Sequence, residues 1–366
     1  MSGPIRNAIR AGIRARVRAR ARAAAPVGST EADNHRRWDG EARGHYEVWY
    51  LTCNHLESAT GYWIRYTLEA PLDGEPYAQL WFAFFDHRQP AHNFAIHRTL
   101  PIAAMRAAVG PFSVTVGEGV LGHDRCAGSI AGAGHRASWD LRWIPATETH
   151  LHLPPLMYRR GGLGETSVLS PNLAVPLSGE IVVDGRRFTL AGDPGGQTHV
   201  WGRKHANAWA WAHCTSFVGP HSAAFEALTV RLRRRGVTLP PLTILALELD
   251  GESYHFTRFR HTLRTEGSWA TGRYTFRARG ARVRLHGELT ARPEDMVVAP
   301  YVDPDGERSY CANTEVGDGR IVVERREGGR WIELAELRAA GTAHFELGGR
   351  ARDPAIVSDH LLVDDE

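Results

Sequence analysis

Hydrophobic and polar residues alternate in short stretches along most of the chain beyond residue 40. A period of two places successive side chains on opposite faces and, with many aromatic and β-branched residues, is typical of β-strands. The predicted strands are 45–53, 61–69, 78–86, 93–99, 112–121, 136–143, 179–183, 187–191, 207–217, 223–233, 242–249, 253–260, 268–278, 281–290, 308–315, 320–325 and 342–347. Helical patterning is confined to two candidates, 101–109 and 332–340. The pattern predicts an all-β protein.

Turn signals divide these strands into hairpins. Asp184-Gly185 and Asp250-Gly251 are typical of tight hairpin turns, and residues 303–306 predict a longer one. Seventeen short strands are too many for one small barrel but divide naturally into two consecutive barrels of about eight strands each. The expected organisation is an Arg-rich tail (1–35), an N-terminal barrel (36–205) and a C-terminal barrel (206–366), with the boundary near Gly192–Gly202.

One segment, Ser178–Phe217, combines several of these signals. A hairpin around Asp184-Gly185 is followed by a Gly/Pro-rich break at 192–196, then by His199-Val-Trp201-Gly202 and by the strand Trp209-Ala-Trp211. A second segment begins Tyr46-Glu-Val-Trp-Tyr-Leu-Thr and continues into Gly61-Tyr-Trp-Ile-Arg-Tyr.

These two segments resemble the carotenoid 1,2-hydratase (hydroxyneurosporene synthase) family, whose relatives include tocopherol cyclases and fungal decalin-forming pericyclases. The family's Asp-His-x-Trp-Gly motif is matched at His199, Trp201 and Gly202, although Thr198 replaces the usual Asp. The resemblance covers about residues 40–350 and implies two tandem lipocalin-like (calycin-type) β-barrels. It also implies cofactor-independent chemistry on a hydrophobic substrate.

Protonation of an alkene requires an acid and an electron-rich wall for the resulting carbocation. His199 and Trp201 share a strand face, so they are the first candidates for these roles. The family's acidic or aromatic partner falls near Glu226, the third candidate catalytic residue; Glu47 is a second candidate acid. Alternatively, these residues are structural. His199 then forms hydrogen bonds at one end of the barrel, Trp201 fills that end, and Glu47 is a carboxylate in an ion pair at the barrel rim.

The candidate ligand-binding residues are Trp49, Trp63, Trp209, Trp211 and His213. Trp209, Trp211 and His213 share one face of a predicted strand, where they either line a lipophilic cavity or fill a barrel core. We expect His199, Trp201 and Trp211 to line one apolar cavity near the junction of the barrels, with Glu226 or Glu47 within reach of His199.

Other site classes are not indicated. His150-Leu-His152 has the spacing of a metal-binding pair on a strand, but a third ligand must come from elsewhere, and no metal site is assigned. The glycine-rich stretches do not join a strand to a helix as a phosphate-binding loop would. The four cysteines are widely spaced, which favours a reducing, cytoplasmic location over a disulfide framework.

Charge is concentrated at the N-terminus. Residues 1–22 contain seven arginines and no acidic residue. The rest of the chain contains 37 basic and 41 acidic residues, a net charge near −4, so nucleic-acid binding is not indicated. Ile5, Ile9, Ile13 and Val17 recur every four residues beside arginines, a pattern that predicts either an interfacial helix on anionic lipid at the inner face of the membrane or a disordered basic leader.

Two functions follow from this reasoning. The first is an enzyme that hydrates or cyclises a long isoprenoid or polyketide-like substrate, or closes it in a pericyclic reaction. The alternative is a non-catalytic carrier of a hydrophobic small molecule, which needs no acid at the missing Asp position.

Overall fold

A computed structural model describes residues 30–159, 165–234, 236–257, 261, 264–356 and 363–364. The basic segment 1–22 lies outside these residues. Within the described ranges, strands dominate, and the α-helices are the short segments α1 (Thr30–Asp33) and α2 (Pro155–Arg159). Single 3₁₀ turns occur at Pro90–His92, Ile102–Ala104 and Pro293–Asp295. The predicted all-β class is confirmed.

The first large sheet is formed mainly by residues 45–202. Its strands are β1 (His45–His55), β2 (Thr60–Ala70), β3 (Tyr77–Asp86), β4 (Phe94–Pro101), β5 (Met105–Val109), β6 (Phe112–Val116), β7 (Gly119–Gly122), β8 (Arg125–Gly132), β9 (His135–Arg142), β10 (His150–Leu151), β11 (Thr166–Val183) and β12 (Arg186–Gly202). They are ordered β4-β3-β2-β1-β12-β11-β9-β8-β7-β6-β5, and β10 pairs with β11. The sheet curls, so Phe94 on β4 stacks on His135 at 3.9 Å between ring centroids.

The second large sheet is formed by residues 208–349. Its strands are β13 (Ala208–Cys214), β14 (Ala223–Arg231), β17 (Leu242–Leu249), β18 (Glu252–His255), β19 (Thr265–Ala270), β20 (Arg273–Arg279), β21 (Val283–Thr290), β22 (Val297–Val302), β23 (Arg308–Glu327) and β24 (Arg330–Gly349). A separate ribbon contains β15 (Arg233–Arg234) and β16 (Val237–Thr238), and β25 (Val363–Asp364) joins β4 of the first sheet in parallel. Thr265 Oγ1 on β19 donates a hydrogen bond to the Thr243 carbonyl on β17 at 2.8 Å, which nearly closes this sheet into a barrel.

Each sheet encloses its own apolar core. Trp49, Leu51 and Cys53 alternate along β1 and point into the first sheet, where they meet aromatic residues of β2 and β3. In β13 the inward positions Ala210 and Ala212 are small and meet Phe225 and Phe345. Because side chains alternate along a strand, the large Trp209 and Trp211 point outward from this second core.

These outward tryptophans pack against the first sheet. Trp209 and Trp211 on β13, with Val297 on β22, contact the cluster that contains Trp63 and Trp81 on the outer face of β2 and β3. The two sheets therefore share a third, aromatic core between them. Strands β2, β3 and β13 are therefore buried on both faces. One face of each strand lies inside its own sheet, and the other face lies in this interface.

The predicted hairpin at Asp184-Gly185 is confirmed. Val183 pairs with Arg186, and the two turn residues have φ of 49° and 80°, as the tight primed turn requires. The predicted break at 192–196 is wrong, because β12 runs continuously to Gly202. A Cβ at Gly195 would lie 2.7 Å from the Thr52 carbonyl oxygen, so this glycine permits close approach of β12 to β1.

The two helical candidates have different outcomes: 101–109 contains one helical turn, whereas 332–340 contains none. Residues 101–109 form a 3₁₀ turn followed by β5, which pairs with β6. Residues 332–340 lie within β24, where Ala335, Leu337 and Ala339 alternate into the second core. Strand pairing and the period-two burial decide the conformation of both segments.

Candidate active site between the sheets

A cavity of about 260 Å³ lies between the two sheets. The first sheet contributes outward-facing residues of β1 and β12, such as Tyr46, Tyr50 and Val200, and the second contributes Trp209 and Trp211. The wall is mainly apolar and aromatic. Concave sites of this composition, with few polar groups, are typical of binding sites for hydrophobic small molecules.

Three of the five predicted ligand-binding residues line this cavity: Trp63, Trp209 and Trp211. The indole N–H of Trp209 donates to Glu346 Oε1 at 2.7 Å, and that of Trp211 donates to Glu226 Oε1 at 2.8 Å. These hydrogen bonds hold the indole rings in place at the cavity wall.

His199, Trp201 and Trp49 lie on the opposite face of the same strands. Val200 lines the cavity, so its neighbours His199 and Trp201 point into the first sheet. The His199 and Trp201 rings do lie together, with centroids 4.8 Å apart, and Trp49 stacks on His199 at 4.8 Å. The structure thus brings His199 and Trp201 to one face, but that face does not line the cavity.

Glu47 is the carboxylate that reaches His199. Its Oε1 lies 2.9 Å from His199 Nε2, whereas His199 Nδ1 lies 2.7 Å from the Asp33 carbonyl oxygen. Both ring nitrogens face acceptors, which favours the doubly protonated imidazole, but burial outweighs the effect of Glu47 and lowers the pKa of His199. Glu226, the first-choice acid, lies across the interface and does not contact His199 in the described structure.

The segment that follows α1 completes the surroundings of Glu47. The backbone N–H groups of Arg37 and Trp38 donate to its two oxygens at 2.6 and 3.0 Å, and His45 Nε2 lies 3.3 Å away. Burial opposes ionisation, but the hydrogen bonds from His199 and His45 outweigh it and lower the pKa of Glu47 to about 2. Glu47 and His199 are fully buried and hydrogen-bonded to each other, as expected of a structural pair at a barrel end.

His205 and Asp303 form a pair at the cavity that was not among the predicted site residues. His205 lies in the segment 203–207 that connects the two sheets, and it lines the cavity. Its Nδ1 lies 2.6 Å from Asp303 Oδ1, and its backbone N–H donates to the same oxygen at 2.9 Å. Arg350 donates to Asp303 Oδ2 at 2.7 Å and to the His205 carbonyl at 3.0 Å.

Three aromatic rings surround the His205 imidazole. Tyr46 stacks on it at 4.5 Å, Tyr301 at 5.2 Å and Trp209 at 5.7 Å between centroids, and all three also line the cavity. Because Nδ1 is committed to Asp303, Nε2 is the ring nitrogen left for a ligand. Burial disfavours the Asp303 carboxylate, but the hydrogen bond from His205 outweighs this and lowers the pKa of Asp303.

Weak signals for this pair exist in the sequence. Asp303 begins the predicted turn 303–306, which is confirmed by the hydrogen bond from Gly306 N–H to the Asp303 carbonyl at 2.8 Å. His205 follows the His-x-Trp-Gly motif by three residues. The two are 98 positions apart, so only the packing of the two sheets brings them together.

Glu226 lies behind Trp211, buried between the sheets. His152 Nε2 approaches Glu226 Oε1 to 2.8 Å, and His150 Nε2 approaches Oε2 to 4.0 Å. Burial alone would raise the pKa of Glu226, as a proton donor near neutral pH requires. Burial acts in that direction, but the imidazoles of His152 and His150 outweigh it and lower the pKa. Burial lowers the pKa of His150 to about 3.

His213 is buried beside this cluster rather than on the cavity wall. Its ring lies parallel to that of Trp211 at 5.8 Å, Nε2 donates to the Leu173 carbonyl at 2.7 Å, and Nδ1 lies 2.9 Å from His344 Nδ1. His213 therefore supports Trp211 from behind and helps to join the two sheets.

Comparison with known proteins finds similarity over part or most of the chain. Residues 168–349, from β11 to β24, match the family model described as tocopherol cyclase-like. A probable chloroplastic tocopherol cyclase of Oryza sativa subsp. japonica is 23% identical over 177 residues, which are 47% of this chain and 37% of the rice protein. An uncharacterised protein of Mycobacterium tuberculosis strain H37Rv is 28% identical over 338 residues, 89% of this chain and 94% of its own length.

Two solved structures were also found by structural comparison. A putative AttH from Nitrosomonas europaea has a TM-score of 0.46 and 15% identity over 86% of this chain and 96% of its own. Kievitone hydratase from Nectria haematococca has a TM-score of 0.49 and 9% identity over 82% of this chain and 88% of its own. Among the described residues, no helix is long and apolar enough to cross a membrane.

Proposed function

We propose that the protein is a cofactor-independent enzyme that binds a long hydrophobic substrate, isoprenoid or polyketide-like, between its two sheets and hydrates or cyclises it by proton transfer. The tocopherol cyclase-like region supports a reaction of this general type. The observation that carries the proposal is the His205–Asp303 pair, which adjoins a cavity whose other walls are mainly apolar and aromatic.

His205 is the proposed acid. When its ring is doubly protonated, the Nε2 proton is transferred to one carbon of a substrate double bond. The π electron pair forms the new C–H bond, and the other carbon becomes cationic. The Asp303 carboxylate holds the ring through Nδ1, as an orienting carboxylate does in other His-dependent enzymes.

The aromatic wall stabilises the cation. The faces of Trp209, Tyr46 and Tyr301 are electron-rich and surround His205, so the developing charge lies over their rings. In hydration, a water oxygen bonds to the cationic carbon and its surplus proton returns to Nε2. In cyclisation, a hydroxyl oxygen or second double bond of the substrate supplies the electron pair, and the proton lost afterwards returns to Nε2.

The size of the cavity limits what it can hold. At about 260 Å³ it is at the small end for ligand sites, so we place only the reacting end of a long chain beside His205. Carotenoid 1,2-hydration is one reaction of the proposed class, and tocopherol-type ring closure is another.

The test separates binding from chemistry. Quenching of tryptophan fluorescence by a lipophilic polyene measures binding, and product analysis with prenylated quinols and acyclic carotenes measures turnover. We expect His205→Gln to lower turnover by about 10²–10⁴-fold while changing the dissociation constant less than about threefold.

His221→Gln is the matched control. His221 also pairs with an aspartate, with Nδ1 2.8 Å from Asp250 Oδ2, but this pair is exposed and away from the cavity. Equal turnover of the two variants would contradict the role of His205. Polyene binding without turnover of any of these substrates by the wild-type protein would favour the carrier function.

A further inference from the structure

We infer that His150, His152 and Glu226 bind a divalent transition-metal ion, with zinc the best fit, in the interface between the two sheets. Each residue offers one ligand atom, and these atoms all lie within 4.8 Å of one another. Two imidazoles and one carboxylate form a donor set that zinc commonly accepts. The His-x-His pair recognised in the sequence lacked a third ligand, and Glu226 is that ligand.

The distances suit a tetrahedral ion. Ligand atoms at the usual zinc–nitrogen and zinc–oxygen distances lie about 3.4 Å apart in tetrahedral geometry. In the structure, His152 Nε2 lies 2.8 Å and His150 Nε2 lies 4.0 Å from oxygens of Glu226. These distances involve different oxygens of Glu226, and the three ligand atoms of the set lie at most 4.8 Å apart. Side-chain shifts of up to roughly 1.4 Å would therefore bring all three atoms to the tetrahedral separation.

His152 provides an independent indication. Its side chain is 3% exposed, and neither ring nitrogen makes a hydrogen bond of acceptable geometry with the described part of the chain, although Nε2 lies close to Glu226. Buried polar atoms are nearly always satisfied, and an unsatisfied one is costly. A metal ion on Nε2 would supply the missing partner of that nitrogen.

The site would also link the two sheets. His150 belongs to β10 of the first sheet and His152 follows it, whereas Glu226 belongs to β14 of the second. Glu226 Oε1 accepts the indole N–H of Trp211, so the ion would lie directly behind a wall of the cavity. The inference is independent of the proposed reaction, because none of the three ligands is assigned a role in it.

The first experiment measures metal content and stability. Untagged full-length protein, stripped with a chelator and dialysed against zinc, is expected to retain about one zinc ion per chain. Zinc should raise the thermal midpoint by about 5 °C or more, because a ligand that binds only the folded state stabilises it. Cobalt substitution should give the visible absorption of tetrahedral Co²⁺.

Variants identify the ligands. Glu226→Gln preserves the shape of the side chain and is expected to lose the zinc equivalent, as is His152→Ala. The control is His221→Ala, which removes a surface imidazole and should retain the zinc equivalent. If the stripped wild-type protein takes up no zinc and no cobalt, the inference is wrong. Equal zinc uptake and an equal thermal shift in wild type and folded Glu226→Gln would also overturn it.

Discussion

Two buried polar clusters lie on opposite faces of the same pair of strands, β1 and β12, and they differ in how completely their atoms are hydrogen-bonded. Inside the first sheet, Glu47 has four hydrogen-bonding neighbours and His199 has two. In the interface, the His205 ring has one such partner, Asp303, and otherwise adjoins aromatic rings and a cavity.

This difference indicates different roles for the two clusters: the first stabilises the fold, and the second is the candidate for chemistry. A buried charge whose hydrogen bonds are all made by the fold has nothing left to offer a ligand, and its loss is felt in folding. A ring that is fixed at one nitrogen and adjoins a cavity at the other can exchange a proton with a ligand. The His-x-Trp face therefore fits the structural role, and the face of Val200 carries the candidate site.

The largest expected effect concerns Glu47. Glu47→Gln removes the buried carboxylate to which the Arg37 and Trp38 N–H groups and the His199 ring are hydrogen-bonded, and it should lower the free energy of unfolding by about 3–5 kcal/mol, measured by urea denaturation at pH 7. Glu266→Gln, which removes an exposed ion pair with Arg277, should cost less than about 1 kcal/mol. Equal costs for the two variants would contradict the structural role of Glu47.

Acid should remove the same stabilisation. The pKa of Glu47 is lowered to about 2 from an ordinary value of 4.5, so the carboxylate stabilises the fold fully above pH 4.5 and progressively less as pH falls towards 2. The stability difference between wild type and Glu47→Gln should shrink over this window by about 3 kcal/mol. A difference that is constant from pH 6 to pH 3 would rule out this ionisation.

The next prediction tests the role of the His205–Asp303 pair at the cavity. Asp303→Asn should lower turnover by about 100-fold, because the amide no longer orients the His205 ring through Nδ1 as the carboxylate does. Asp250→Asn, the equivalent change in the exposed His221 pair, should leave turnover unchanged. If Asp303→Asn changes only the thermal midpoint, Asp303 serves merely to join the connection 203–207 to the second sheet.

The smallest effect tests which face binds the ligand. Trp211→Ala should weaken polyene binding about tenfold by removing an aromatic wall, whereas Trp201→Ala should change it less than about twofold, since Trp201 points into the first sheet. Fluorescence titration of both variants gives the comparison directly. If Trp201→Ala weakens polyene binding more than Trp211→Ala does, the ligand binds at the His199 face instead.

The period-two pattern was enough to predict most of the strands, though not β8 or β22, together with the hairpin at Asp184-Gly185 and the shared face of His199 and Trp201. It could not predict which face meets the cavity, because both faces of β12 are buried, one in a core and one in the interface. The helix candidate 332–340 was wrong because pairing with β23 decides its conformation. Local patterns could mark single residues such as Asp303 or His152, but they could not show that His205 pairs with Asp303 or that His152 meets Glu226, because these partners are far apart in the sequence.

The short connection 203–207 has a consequence for how this scaffold can diversify. It joins β12 to β13 and also contains His205, so its length sets the position of this proposed proton donor relative to Trp209 and Trp211 in the cavity wall. Insertion or deletion of one residue there would move the donor to another carbon of a bound chain and leave every wall residue unchanged. The carbon of the substrate that is protonated can therefore change with the length of this connection, without replacement of any side chain in the cavity wall.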